Sequence, residues 1–297
     1  MHLRLKHLLA VIFTVVAIVP VLIMALWVER TALEKEMAAV HEKHLLLAKN
    51  MTAALDRYSR DVAAVFRYFA KSDEPDKLMS ENATELARSI GFKSIQIVDG
   101  TGRLILRLTA IEDGQVHLDP KTIRPLLPKA DEELKFSNVL PDAAGHPTIL
   151  LYQRLATDRV AVAALSTDYF VTLQTAITFG RKGHAAIVDR TGTIIAHPKA
   201  DWQRAMKNIA KVAPVQKMMA GQSGVTQFYS PAVKKQMISG FTTVARTGWG
   251  VMVPQPLHEL VEKARGAQQL ALAIAFLGVV AAAFISWMLA NALIRPI

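Results

Sequence analysis

The sequence predicts an α+β chain in which a long N-terminal helix is followed by two tandem antiparallel-sheet modules, the whole flanked by two membrane-spanning helices. Three observations carry that reading. Apolar or interior-tolerant residues recur every three or four positions from Leu33 to Phe69, the period of one helix face. A string of strand, Asp-x-x-Gly and strand occurs twice, at Lys93 to Ile105 and at His184 to Ala196, and each copy reads as a β-hairpin. Two runs of 21 residues without a charge, Leu8 to Val28 and Leu270 to Ala290, stand near the two ends of the chain.

At a rise of about 1.5 Å per residue each run measures about 31 Å, enough to cross a hydrocarbon core. Their segregation explains how 297 residues are 52% hydrophobic and still 20% charged. The first run reads as an uncleaved anchor and not as a signal peptide. It is longer than an ordinary signal core, no small-x-small pattern follows Val28, and Glu29 opens a helical pattern that continues from it. Residues 1–7 form a short tail before this span (8–28), and a second span covers 270–290. Arg4 and Lys6 precede the first span and Arg295 follows the second, so the positive-inside rule puts both ends in the cytoplasm and the region between the spans outside the inner membrane.

There is no cysteine, which excludes a disulfide framework, a thiol nucleophile and a thiolate metal site. The formal charge is +10; setting aside Arg4, Lys6 and Arg295 leaves +7 on the outer region, because every acidic residue falls within it. A positive field favours an anionic ligand or an anionic membrane surface, and a basic surface that keeps the domain soluble is the plainer alternative.

In chain order, 29–75 reads as the long helix. Its stripe runs through Met37, Val40, His44, Met51, Leu55, Tyr58, Val62 and Phe69 and suits a dimer seam, a coiled-coil core or the face on which two sheet modules pack. His41 and His44 are spaced to share one ion on a helix, but with no third ligand nearby His44 is read as a polar member of the stripe. Ser72-Asp73-Glu74-Pro75 breaks the helix and Asp76 to Ile90 forms a second, amphipathic one ending at Gly91. The first module (76–175) takes its strands from Ser94 to Val98, Leu104 to Leu108, Thr148 to Leu155 and Val160 to Leu165, the last two joined by a turn at Thr157-Asp158. The proline-interrupted stretch Asp119 to Phe136 suits the loops that cover a pocket. In the second module (176–260), Asp189-Arg190-Thr191-Gly192 is a turn with Gly where a positive φ is needed.

The second hairpin, Gly183-His184-Ala185-Ala186-Ile187-Val188-Asp189-Arg190-Thr191-Gly192-Thr193-Ile194-Ile195-Ala196-His197-Pro198, resembles the membrane-proximal module of Cache domains, extracytoplasmic sensors with a PAS-like fold. Val212 to Gly221 resembles that family's linking helix, and Gly224 to Tyr229, Gln236 to Val244 and Thr247 to Val253 its later strands. With the upstream copy at Lys93 to Ile105 the chain resembles the double Cache, or dCache, architecture over about residues 30 to 260. Residues 291–297, ending Arg295-Pro296-Ile297, resemble the opening of a HAMP linker. The resemblance implies the sensor portion (29–265) of a longer bacterial receptor, with output as a chemoreceptor, a histidine kinase or a cyclic-dinucleotide enzyme. It implies a small-molecule ligand in the distal module, signalling through the second span, and a homodimer along the long helix.

Within that family an amine or amino-acid subset carries an Arg, two aromatics, an Ala and later a Tyr and an Asp. Arg124-Pro125-Leu126-Leu127-Pro128-Lys129-Ala130 matches in Arg124 and Ala130 only, with leucines in place of the aromatics that would cage an ammonium, and Asp168 lies near the family's Asp. From the residues alone, Arg107, Arg124 and Arg154 offer planar forks for a carboxylate or phosphate, and Tyr152 shares a strand face with Arg154. The expected ligand-binding set is therefore Arg124, Arg107, Tyr152, Arg154 and Asp168, for a small anion. No phosphate loop, nucleophile elbow or dinucleotide fingerprint is present, so no enzyme activity, catalytic residue, cofactor, metal or nucleic-acid partner is expected. The rival readings are docking of a periplasmic binding protein on the same fold and a membrane-anchored extracytoplasmic enzyme.

Reporter fusions at the two ends should both report cytoplasm. A periplasmic amino terminus, or a mature protein beginning after Val28, would overturn the two-span topology.

Overall fold

The computed structural model describes residues 2–71, 80–110, 120–156, 158–179 and 182–294. The expected helix break at 72–75, Thr157 of the tight turn, part of the covering stretch and the 295–297 end of the linker lie outside the described residues. The chain divides into two compact units, His41–Pro256 and the terminal segments Met1–Val40 with Leu257–Ile297.

The terminal unit is helical. α1 runs from His2 to Ala70 with Pro20 inside it, and the chain ends in a long helix, Leu257–Ile294. Apolar side chains such as Val16, Met24 and Trp27 on the first segment and Phe276, Leu277 and Phe284 on the last are exposed. Among the described residues one helical stretch is long and apolar enough to cross a membrane, Gln269–Met288, with a mean hydropathy of 2.4.

In the larger unit the stripe of α1 faces inward, with His44, Met51, Leu55, Tyr58, Val62 and Phe69 all buried. α2 (Glu81–Ser89) starts where the Ser80 hydroxyl accepts the Ala83 amide and stops before Gly91, whose φ is +96°. The first sheet is built from β1 (Phe92–Asp99), β2 (Leu104–Thr109), β3 (Lys135–Pro141), β4 (Pro147–Ala156) and β5 (Arg159–Ser166), antiparallel throughout in the order β2-β1-β5-β4-β3. Between β2 and β3 lie the short α3 (Pro120–Ile123) and a 3₁₀ turn at Leu127–Lys129. β3 is not among the expected strands. Its register slips between Phe136 and Val139, and that bulge hides the period-two pattern.

α4 (Asp168–Thr175) leads to a small ribbon of β6 (Thr178–Phe179) and β7 (Gly183–His184) and then to the second sheet. That sheet has the order β10-β11-β12-β8-β9, from β8 (Ala186–Val188), β9 (Ile194–Ala196), β10 (Gly224–Ser230), β11 (Lys235–Thr243) and β12 (Gly250–Pro256), with α5 (Ala200–Arg204) and α6 (Ala213–Met219) inserted after β9. One face of each sheet shares a single core with α1, in which Met51, Leu55 and Phe66 join Ile95, Leu151 and Ala163 of the first sheet to Ile187, Val251 and Val253 of the second. The opposite faces hold separate cores, one under α3 and the 3₁₀ turn and one under α6.

Two contacts fix this arrangement. At Gly240 of β11 the backbone of α1 is so close that a Cβ would lie 2.3 Å from the His44 carbonyl carbon. Beside it His44 is hydrogen-bonded through Nε2 to Gln255 Oε1 at 3.2 Å, and burial, opposed by that bond, lowers the imidazole from 6.5 to about 4, so His44 is neutral at pH 7. The second contact joins the modules. Asp189 accepts the Thr191 and Thr193 amides and the Thr191 hydroxyl on Oδ1, and its Oδ2 accepts the Val139 amide of β3 at 3.1 Å. Arg190 Nη2 donates to the Phe136 carbonyl at 2.7 Å. The bulge in β3 thus receives its missing partners from the second hairpin, and Trp249 packs edge-on against Phe136 and Phe170, at 5.4 and 4.8 Å.

Gly192, at φ +81°, would bring a Cβ within 2.8 Å of the Ala210 backbone. Gly192→Val should therefore cost more than about 1 kcal/mol and Gly240→Ala more than about 3 kcal/mol, whereas Gly145→Ala, with a positive φ and nothing within 4 Å, should cost about 1 kcal/mol. Chemical denaturation ranks the three, and a Gly240→Ala protein as stable as Gly145→Ala would disprove the close approach.

Candidate functional site

The first sheet presents its second face to α3 and the 3₁₀ turn, and the register decides what lies there. Cross-strand pairing runs Arg107 to Gln96, Gln96 to Val162, Val162 to Tyr152 and Tyr152 to Lys135, so these five side chains form one row across the face. The next row holds Thr109, Ser94, Ala164 and Leu150. Val98, Leu150, Tyr152, Val160, Val162 and Ala164 make the apolar floor, closed from above by Ile123, Leu127 and Ala130.

Two polar groups are set into this floor. Ser94 is fully buried and Gln96 is 1% exposed, and Ser94 Oγ and Gln96 Nε2 have no hydrogen-bond partner among the described residues. Buried polar atoms normally have one, since each left unpaired costs about 1–3 kcal/mol. They sit side by side on a central strand, beneath the cover, and both can donate to a guest.

At the end of the same face Lys93 reaches from the irregular start of β1 to Asp142 Oδ2 and Thr148 Oγ1, both at 2.8 Å. The pair is buried, with side-chain exposures of 9% and 6%. Burial alone would raise the Asp142 carboxyl. The Lys93 hydrogen bond and the His146 and Ala144 amides hold it below the ordinary carboxylate range instead.

The residues expected from the sequence meet different fates. Arg107 and Tyr152 share the row, but three strand spacings separate them, about 14 Å. Arg154 lies beside Tyr152 on the same face and spends its fork on the cover, with Nε donating to Ala130 O at 3.0 Å and Nη2 to Leu127 O at 2.9 Å. Arg124 follows α3, is exposed, and packs near the first hairpin, where its Cγ is 3.5 Å from the Cβ position of Gly102. Asp168 opens α4, is exposed, and adjoins the Tyr58–Tyr169 ring stack; burial first, then Tyr169 and the Asp168 charge, push the Tyr58 phenol up. Sequence reasoning missed Lys93, Ser94, Gln96, Thr148 and Asp142. The signal was there in Ser94 and Gln96, polar residues at alternate positions that flank Ile95 in a strand whose centre is otherwise Ile95, Ile97 and Val98.

The family profile described as Cache domain, dCache_1, matches residues 27–264. Among solved structures, the extracellular domain of a protein assigned as a histidine kinase, rpHK1S-Z16, has a TM-score of 0.61 at 16% identity, covering 76% of this chain and 98% of that one. The periplasmic sensory domain of the Campylobacter jejuni chemoreceptor Tlp1 has a TM-score of 0.58 at 9% identity, covering 76% and 98%. The ligand-binding domain of the Pseudomonas aeruginosa PAO1 amino acid chemoreceptor PctB in complex with L-Gln has a TM-score of 0.51 at 17% identity, covering 79% and 98%. No curated protein matches.

The buried ion pair sets a stability test. Lys93→Met leaves the Asp142 carboxylate without its counter-ion and should cost about 3–5 kcal/mol, whereas Lys93→Met with Asp142→Asn should recover most of that loss. A single variant as stable as the double one in denaturant melts would show that the pair carries no such charge.

Proposed function

This chain belongs to the Cache domain family, and from that premise we propose that it is the ligand-sensing portion of a bacterial transmembrane receptor, binding a small organic anion on the covered face of the first sheet. The observation that carries this reading is the pair of buried donors, Ser94 Oγ and Gln96 Nε2, unpartnered among the described residues beneath a cover of short helices. A pocket of apolar walls with a few convergent polar groups is what small-molecule recognition needs. Arg107 in the same row and Arg124 on the cover supply positive charge, and the outer region carries an excess of seven.

The P. aeruginosa neighbour was solved with L-Gln, and an amino acid needs an acceptor for its ammonium as well as donors for its carboxylate. On this face, among the described residues, the buried carboxylate is Asp142, and Lys93 Nζ already occupies it at 2.8 Å. That favours a ligand without an ammonium group. Arg107 and Arg124 then act as ligand contacts, Tyr152 as part of the floor, and Arg154 as the residue that positions the cover.

The rest of the receptor follows the same reading. Residues 8–28 and 270–290 span the inner membrane, 29–265 form the periplasmic or extracellular sensor, and 291–297 open a HAMP linker. Ligand binding favours one of two sensor states by its differential affinity, and the second span carries the difference inward to an output domain. Two such chains pair along α1 as a homodimer.

The test is a thermal-shift screen of the full chain in lipid nanodiscs against organic acids, amino acids and neutral analogues, with calorimetry of the hits. Carboxylates should stabilise by mass action. Gln96→Leu and Arg124→Ala should each weaken binding about tenfold or more, and Arg60→Ala on the exposed side of α1 should bind as wild type. Stabilisation by neutral or cationic compounds alone, or unchanged binding in both site variants, would overturn the reading.

A further inference from the structure

The second module contains a cavity of about 360 Å³ between the Asp189–Gly192 turn, the end of α6 and the start of β12. An engineered cavity of about 150 Å³ holds a benzene-sized guest, so there is room for a small molecule. Its apolar walls are Val188, Val215, Met218 and Val244, with Met219, half exposed, at the mouth. Methionine walls adapt readily to a guest.

The cavity has one cation among its lining residues, Arg190. Among the described residues its guanidinium makes one hydrogen bond, from Nη2 to Phe136 O, which leaves Nε and Nη1 to donate. Gly248 makes room for it, since a Cβ there would lie 2.9 Å from Arg190 Cβ and 3.9 Å from Nε. The one lining carboxylate, Asp189, is 2% exposed and already accepts four hydrogen bonds. An anion therefore meets a half-used guanidinium and no exposed acid.

We propose that this cavity is a second ligand site, distinct from the covered face of the first sheet, which accepts a short aliphatic carboxylate. The head pairs with Arg190 and the tail lies against Val215, Met218 and Met219. The site is placed to influence the first module, because Arg190 holds the Phe136 carbonyl and Trp249, next to Gly248, packs on the Phe136 ring. A carboxylate on Nε and Nη1 shares the guanidinium with the Phe136 carbonyl held by Nη2, so one side chain links the guest to β3.

The probe is isovalerate, with 3-methylbutan-1-ol as its neutral isostere, added to the full chain in nanodiscs carrying ¹³C-methyl methionine. Isovalerate should shift the Met218 and Met219 methyl signals saturably, and the alcohol should bind at least about tenfold more weakly. Arg190→Gln should weaken isovalerate binding by about tenfold or more. Met219→Trp, a change at the half-exposed mouth that fills the cavity without disturbing the core, should abolish it and keeps the test intact if Arg190→Gln does not fold. No saturable shift of these methyls, equal shifts by acid and alcohol, or binding undiminished by either variant would overturn the proposal.

Discussion

The backbone of α1 rests directly on the backbone of β11, with nothing at position 240 to hold them apart. Ridge-and-groove packing tolerates shifts of a side chain, but two main chains in contact admit one separation. That contact sets the height of the helix over the second sheet and hence the place of each stripe residue beyond it. His44 is brought to Gln255, and Met51, Leu55 and Phe66 are carried on to a core shared with the first sheet.

Each sheet divides its work between its faces. The face toward α1 is aliphatic and aromatic and supports the fold through burial, at about 25 cal/mol per Å² of apolar surface. The other face of the first sheet tolerates the polar groups that such a core would reject, among them Ser94, Gln96, Arg107 and the Lys93–Asp142 pair. A buried ion pair is a poor source of net stability. On this face it leaves the Asp142 carboxylate already paired, with Lys93 Nζ at 2.8 Å.

Much of this was legible in the sequence, and the exceptions are instructive. The three-and-four spacing of the α1 stripe and the paired Asp-x-x-Gly turns specify local geometry, and local geometry is what one chain segment can encode. β3 was not legible, because its bulge is completed by Asp189 and Arg190 some fifty residues away. Strand alternation placed Arg154 and Tyr152 on one face correctly, yet alternation says nothing of partners, and Arg154 turns out to hold the cover. The register puts Arg107 on that face too, three strands from Tyr152, and both facts depend on strand order, which no local pattern contains. The polar rhythm of Ser94 and Gln96 is readable in the sequence, but alternation alone does not show that both lie buried under a cover supplied by residues 120–130.

The two Asp-x-x-Gly turns are alike in sequence and unlike in use. Asp99 spends its second oxygen on Arg103 of its own hairpin, whereas Asp189 gives the same oxygen to a strand of the neighbouring module. The modules are therefore not interchangeable cassettes. A chimaera joined between them, at the apparent seam near residue 175, would separate Asp189 and Arg190 from the β3 bulge and strand a buried carboxylate oxygen and two main-chain groups. The natural unit of transplantation is the whole of 41–256, and the fusion points available to a receptor engineer lie at its two ends.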